Sequence, residues 1–233
     1  MSFVPVLHAE WIKIRTLRSL LGALAAVFAV TVTFSAVTAA QADRSDPLFS
    51  VFFGVSLGQV AAVVFGALAV SGEYRGGALR LTLASVPDRT RWFAAKSVAV
   101  ALPVLAVALP TGLVTLAVGR GPAGLTWAEG LRGVAGCALY LTLMALLAAG
   151  LAAVLRSGVG TLGLLIPFLL TVSFVVGDLD SGAADYLPDR AGQLALHSAS
   201  EGPLGPWAGL AVSALWAAAA LGAGAWCVRR RDA

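Results

Sequence analysis

Two short motifs and one group of carboxylates are the places where this 233-residue chain carries residue types that catalysis or ligand binding uses. Gly54-Val55-Ser56-Leu57-Gly58 fits the G-x-S-x-G pattern of a serine hydrolase. That motif needs a strand-to-helix elbow with an acid and a histidine to activate the serine. Here it lies in a long apolar run, and the histidines of the chain are His8 and His197 alone. Gly54 and Gly58 are better read as G-x-x-x-G, a face for close packing between membrane helices, and Gln59 beside them can bond across helices. Gly158-Val159-Gly160-Thr161-Leu162-Gly163 fits G-x-G-x-x-G, but no strand precedes it. Gly160 and Gly163 therefore read as packing residues too, and nucleotide binding is not expected. Asp178, Asp180, Asp185, Asp189 and Glu201 can attract a metal or a cationic solute, yet they lack the spacing of a calcium loop, so a solvated loop is expected. Cys137 and Cys227 fall near opposite ends of their apolar runs, too far apart for a disulfide. Lys13 and Lys96 are the only lysines and neither follows glycine, so no P-loop exists. No Cys/His metal cluster occurs. The sequence thus assigns the chain no catalytic residue, no cofactor and no metal, and any work it does must draw energy from a partner.

The elements that hold these residues are membrane helices. Hydrophobic residues make up 59% and charged residues 12%, against about 25% charged in a soluble domain. Six apolar segments approach the ~20 residues needed to cross a bilayer: Leu20 to Ala40, Val51 to Val70, Ser97 to Val118, Gly133 to Leu155, Thr161 to Gly177 and Trp207 to Val228. The chain is expected to be an all-α polytopic membrane protein of one domain, residues 1–233. With both termini inside, twelve of the sixteen basic residues lie on the cytoplasmic side, as the positive-inside rule requires. The formal charge of +4 is accordingly a signal of topology and implies no nucleic acid. Ala40-Gln41-Ala42 ahead of Asp43 resembles a signal-peptide cleavage site, but the apolar run before it exceeds the ~7 to 15 residues of a signal core. A retained span in the cell membrane is expected. Pro103 and Pro110 can kink the third span, and Trp207 and Trp226 stand where interfacial anchors stand.

Three polar stretches punctuate these runs. Residues 1–18 place Phe3, Leu7, Trp11 and Ile14 at helical spacing, which reads as an amphipathic helix in the inner interface of the lipid bilayer. Residues 71–96 are the most polar island, with Arg75, Arg80, Arg89, Arg91 and Lys96 against Glu73 and Asp88. Gly76-Gly77 can end a helix, Ala78 to Ser85 can form a short one, Pro87 stops it, and Asp88 can cap the next. Such a helix on the cytoplasmic side is a contact surface. Glu73 is read as an exposed acid, or one paired with Arg75, Arg80 or a partner. Residues 178–206 form the longest outer loop, where Arg190 to Ala199 can make a short interfacial helix that carries His197 at the surface.

In this order, Glu10-Trp11-x-Lys13-x-Arg15, then Gly72-Glu73-Tyr74-Arg75-Gly76-Gly77-Ala78-Leu79, Pro87-Asp88-Arg89, Lys96 and a terminal Arg-Arg-Arg-Asp resemble the permease subunit of an ABC transporter of the type 2, export class. Family members commonly have Gly-Thr where this chain has Gly77-Ala78. The resemblance implies two permeases, identical or related, on two copies of a separate P-loop ATPase that carries the ATP and Mg. It also makes the loop between spans two and three a coupling helix: Leu79 and Leu83 would enter a cleft of the ATPase, and Glu73, Arg75, Arg80, Arg89 and Arg91 would set orientation. The substrate is then a hydrophobic or amphipathic solute leaving the cytoplasm. A membrane scaffold or immunity protein, and less readily a lipid-modifying enzyme built on Ser56, are the alternatives.

Overall fold

The computed structural model describes residues 3–39, 45–86, 88–172, 184–199 and 204–230, without the side chains of Leu83, Pro122 and Val172. It is helical, with no strand among the described residues. Helix α1 (Phe3–Thr16) meets α2 (Arg18–Ala39) after the single residue Leu17. Asp46 caps α3 (Pro47–Phe52) by accepting from the Phe49 N–H, with Pro47 at its first turn where no amide hydrogen is needed. The chain breaks at Phe53 and Gly54 and resumes as α4 (Val55–Ser71). A 3-10 turn (Gly72–Tyr74) leads to α5 (Ala78–Ser85) and then α6 (Arg89–Ala123), α7 (Trp127–Leu155) and α8 (Gly158–Pro167). The short α9 (Pro188–Gln193) precedes the closing helix α10 (Pro206–Arg230).

The turn chemistry of residues 71–96 is as the sequence predicts. Gly76 and Gly77 have φ of 61° and 76°, the left-handed region that a side chain disfavours. Asp88 caps α6 through the Arg91 N–H at 3.0 Å. Pro87 lies outside the described residues.

Among the described residues, five helices are long and apolar enough to cross a membrane, within Arg18–Ala39, Val55–Tyr74, Arg89–Gly121, Trp127–Leu155 and Pro206–Arg230. The fifth expected span is shorter as described: α8 gives way at Pro167 to a π-type turn (Phe168–Val172), and residues 173–177 lie outside the described set. Helix α6 continues through Pro103 and Pro110 for 35 residues, about 52 Å at 1.5 Å per residue. Cys137 and Cys227 are both free and buried, as their placement predicts.

Helix α7 is the axis. It packs against α4, α6 and α10, and it buries Tyr140, Leu141 and Met144 almost completely. Hydrophobic burial is not what holds membrane helices together, so contact must come from close backbone approach. A Cβ on Gly66 would stand 2.0 Å from the Ala145 carbonyl of α7, and one on Gly150 would stand 2.4 Å from the backbone of Ala220 on α10. Gly54 and Gly58 do the same against α2: their Cβ atoms would meet the Thr31 carbonyl and hydroxyl, each at 2.0 Å, and the Gly54 N–H donates to Ser35 Oγ. The expectation for Gly160 and Gly163 needs correction. A Cβ on Gly163 would meet nothing within 4 Å, because that side of α8 faces outward, and Gly160 has only its own cap, Ser157, nearby. The close approach is made by Gly158, against Ser71 of α4.

These contacts predict opposite outcomes for two substitutions of the same kind. Gly66→Ala should lower stability by about 1–3 kcal/mol, as overpacking does, whereas Gly163→Ala should leave it unchanged. Unfolding of the purified variants in detergent, followed by circular dichroism, measures both.

Candidate functional site

The end of the bundle beside α1 holds four charges in a closed alternating ring. Lys13 Nζ lies 2.9 Å from Glu10 Oε1 and 2.8 Å from Glu73 Oε1. Lys96 Nζ lies 2.6 Å from Glu10 Oε2 and 2.7 Å from Glu73 Oε1. Each ammonium thus bridges both carboxylates, and the ring carries no net charge. Trp92 Nε1 donates to Glu10 and the Thr82 hydroxyl donates to Glu73 at 3.4 Å. Glu10, Glu73 and Lys96 are at most 5% exposed, and only Lys13 reaches toward solvent. Burial would pull the Lys13 ammonium down, but its hydrogen bond to Glu73 and the charge of Glu10 outweigh that and hold its pKa above the ordinary value.

Three elements place these groups. Glu10 and Lys13 stand on successive turns of α1, Glu73 sits in the turn that follows α4, and Trp92 and Lys96 share one face of α6. Glu73 is therefore neither exposed nor turned to the solvent with Arg75 and Arg80, as the sequence reading had it. Two lysines already surround it. The inward face of α1 is likewise Val6, Glu10 and Ile14; of the expected Phe3, Leu7, Trp11 and Ile14 stripe only Ile14 is on it, because placing Glu10 between Lys96 and Trp92 turns α1 to that face.

The other expected coupling residues divide. Arg75 and Arg80 are exposed. Leu79 is 5% exposed within this chain, while Leu81 is 76% exposed, so the outward apolar side chain of α5 is Leu81. The Leu83 side chain lies outside the described residues. Arg89 donates to the Val228 carbonyl at 3.0 Å, which ties the start of α6 to the end of α10. Arg91 pairs with Asp88 at 3.5 Å on the surface.

A second polar centre was hidden in the outer loop. Residues 184–198 do not form a solvated surface segment. Gly192 packs on the ring of Tyr140, fourteen residues into the 29-residue α7, and Gly209 of α10 packs on the Ala191 carbonyl. Asp189 is thereby 4% exposed, an ionisable group packed between α7 and α10 where a solvated loop was expected. Asp178, Asp180 and Glu201 lie outside the described residues, and among the described residues no group of three metal-ligating side chains occurs. Beside Asp189 four side chains close a hydrogen-bond cycle: Ser56 Oγ donates to Gln193, Gln193 to the Tyr140 hydroxyl, Tyr140 to Gln59 Oε1, and Gln59 Nε2 back to the Ser56 carbonyl. Ser56 has no histidine to activate it in that cycle, which leaves the hydrolase reading without a base. His197 is turned instead to Asp46 Oδ2, 2.6 Å from Nδ1, and stacks on Phe49 with ring centroids 4.3 Å apart. Partial burial raises the Asp46 carboxyl, but the N–H groups of Phe49 and Ser198 and the His197 ring hold it below its ordinary value of 3.8.

No protein-family model matches the chain, and no curated protein does.

Both centres generate predictions. Lys96→Met leaves two buried carboxylates with one ammonium and should cost about 3–5 kcal/mol, while Glu73→Gln with Lys96→Met, which removes one charge of each sign, should cost less. Chemical unfolding in detergent distinguishes them. A depressed carboxyl stabilises above its unfolded pKa and loses that contribution as pH falls through its folded pKa. The Asp46 latch should hence weaken below pH 3.8, and Asp46→Asn should remove that acid-dependent fall in melting temperature.

Proposed function

We propose that the chain is the membrane-spanning permease subunit of an ATP-driven exporter, with six spans, both termini in the cytoplasm of a cell-membrane protein, and ATP hydrolysis on a separate chain. The observation that carries this reading is the placement of α5. It is a short helix between two spans, isolated by left-handed glycines on one side and a capped helix on the other. Through Thr82 and Glu73 it reaches a ring of buried charges that also holds α1 and α6. A push on α5 is transmitted to three elements at once, as coupling to an external motor requires.

The exposed face also specifies its partner. Glu10 and Glu73 are spent inside the ring, so around α5 the surface presents Arg75 and Arg80 together with exposed Leu81. A cleft there is lined by Arg80, Arg156, Tyr74 and Leu79, with Glu73, already paired to both lysines of the ring, at its base. An ATPase that docks on it must offer an apolar socket rimmed with carboxylates, since complementary charge sets register and approach. Leu81 replaces Leu79 as the apolar anchor, and Leu79 supports α5 from beneath.

A detergent pull-down of the tagged chain from its native membrane tests the reading. A stoichiometric P-loop ATPase should co-purify, and Leu81→Asp with Arg80→Glu should abolish its capture and its coupled ATP hydrolysis while leaving membrane insertion intact. A chain that comes down alone, or capture unaffected by both substitutions, would overturn it.

A further inference from the structure

A cavity of about 830 Å³ lies where α6 gives way to α7, near the upper end of the size range for small-ligand sites. From Lys96 to Arg120, α6 rises about 36 Å, so these two charges flank a hydrocarbon core of ~30 Å. Arg120 thus stands at headgroup depth on the face opposite the charge ring. Two contacts fix its guanidinium. Nε donates to the Leu125 carbonyl at 3.3 Å, and Cζ lies over the Trp127 ring, 3.8 Å from its centroid. The Nη groups are left without a hydrogen bond among the described residues. They form a fork of donors that matches two oxygens of a phosphate, and since the side chain is already held, little freedom is lost when the fork is used.

Toward the bilayer centre the cavity turns apolar. Leu113 and Leu131 stand exposed as its walls and Leu116 is buried as its floor, where Gly130 makes room for it: a Cβ on Gly130 would lie 2.4 Å from Leu116 Cδ1. No carboxylate lines the cavity among the described residues, and Glu129, in the first turn of α7, is engaged by Thr126 at the cap. From this arrangement we infer that the cavity is a binding site for an anionic phospholipid, with the headgroup phosphate on Arg120 and one acyl chain along Leu113, Leu116 and Leu131. A zwitterionic lipid offers the same phosphate, but its ammonium meets no carboxylate here and shares the Trp127 ring with a cation already on it. An arginine that served only as an interfacial anchor would need charge at this depth, but neither the fork nor a choice of headgroup. The site needs no ATPase and no assigned side of the membrane, so it does not rest on the export reading.

The purified full chain in mild detergent is titrated with phosphatidylglycerol and phosphatidylcholine of equal chain length, and bound lipid is counted by native mass spectrometry. Phosphatidylglycerol should bind about fivefold more tightly. Arg120→Gln should weaken its binding by about tenfold and erase the preference, while Arg120→Lys, which keeps the charge without the fork, should recover only part of the loss. Trp127→Leu, which releases the guanidinium, should weaken binding by a smaller factor; Trp127 is exposed, so this variant reads the site even where Arg120→Gln does not fold. Arg15→Gln removes an equal exposed charge from α1 and should leave the tightest site intact, and soluble glycerol phosphate at equal concentration should not compete, since it lacks the chain. Equal binding of the two lipids, equal losses from Arg120→Gln and Arg15→Gln, full recovery with Arg120→Lys, binding unchanged by Trp127→Leu, or displacement by glycerol phosphate overturns the inference.

Discussion

Four buried charges at the end of the bundle beside α1 constrain the rest of this structure. Removing Glu10, Lys13, Glu73 and Lys96 from water costs several kcal/mol per ion even after relaxation. The arrangement recovers that cost only because the signs alternate around a closed ring and each ammonium touches two carboxylates. No three of the four suffice. The ring therefore dictates how α1 is turned, where the chain must lie after α4, and that α6 begins two turns before its apolar run so that Lys96 can point inward. Elements that would otherwise be loosely attached at a membrane surface are held in one geometry.

Much of this was legible in the sequence, and the rest failed for identifiable reasons. Spans one, two, three, four and six and their turns follow from long apolar runs and from punctuation with local causes, Gly76-Gly77 and Asp88 as a cap. Gly54 and Gly58 declared their role because G-x-x-x-G is a local pattern, four residues at helical spacing across the start of α4. The ring did not, since Lys13 and Glu73 are 60 residues apart, Glu10 and Lys96 86, and even Glu73 and Lys96 23, and nothing local pairs them. Residues 184–198 were misread for a different reason. Asp, Arg, Gln and His in a row describe a solvated loop by composition, while Gly192, Ala191 and Ala195 describe a segment thin enough to slip between α7 and α10. Small residues decided the placement, and the polar ones followed them in.

The two polar centres stand at opposite ends of α4. Ser56 and Gln59 occupy its first turns, and Glu73 follows its last by two residues. The seventeen residues between Val55 and Ser71 form a rod about 26 Å long, and close contact with α2 and α7 through Gly58 and Gly66 leaves it no room to bend. A rod of this kind passes displacement from one end to the other only where the ends themselves can move. At the end that carries Glu73, the left-handed Gly76 and Gly77 set α5 off from α4. At the other end the Gly54 N–H is bonded to Ser35 and a Cβ there would strike the Thr31 carbonyl, so that end is fixed to α2. The conformational freedom of the chain around α4 is therefore concentrated at its α5 end, where the backbone turns left-handed, and not at the end that carries Ser56 and Gln59.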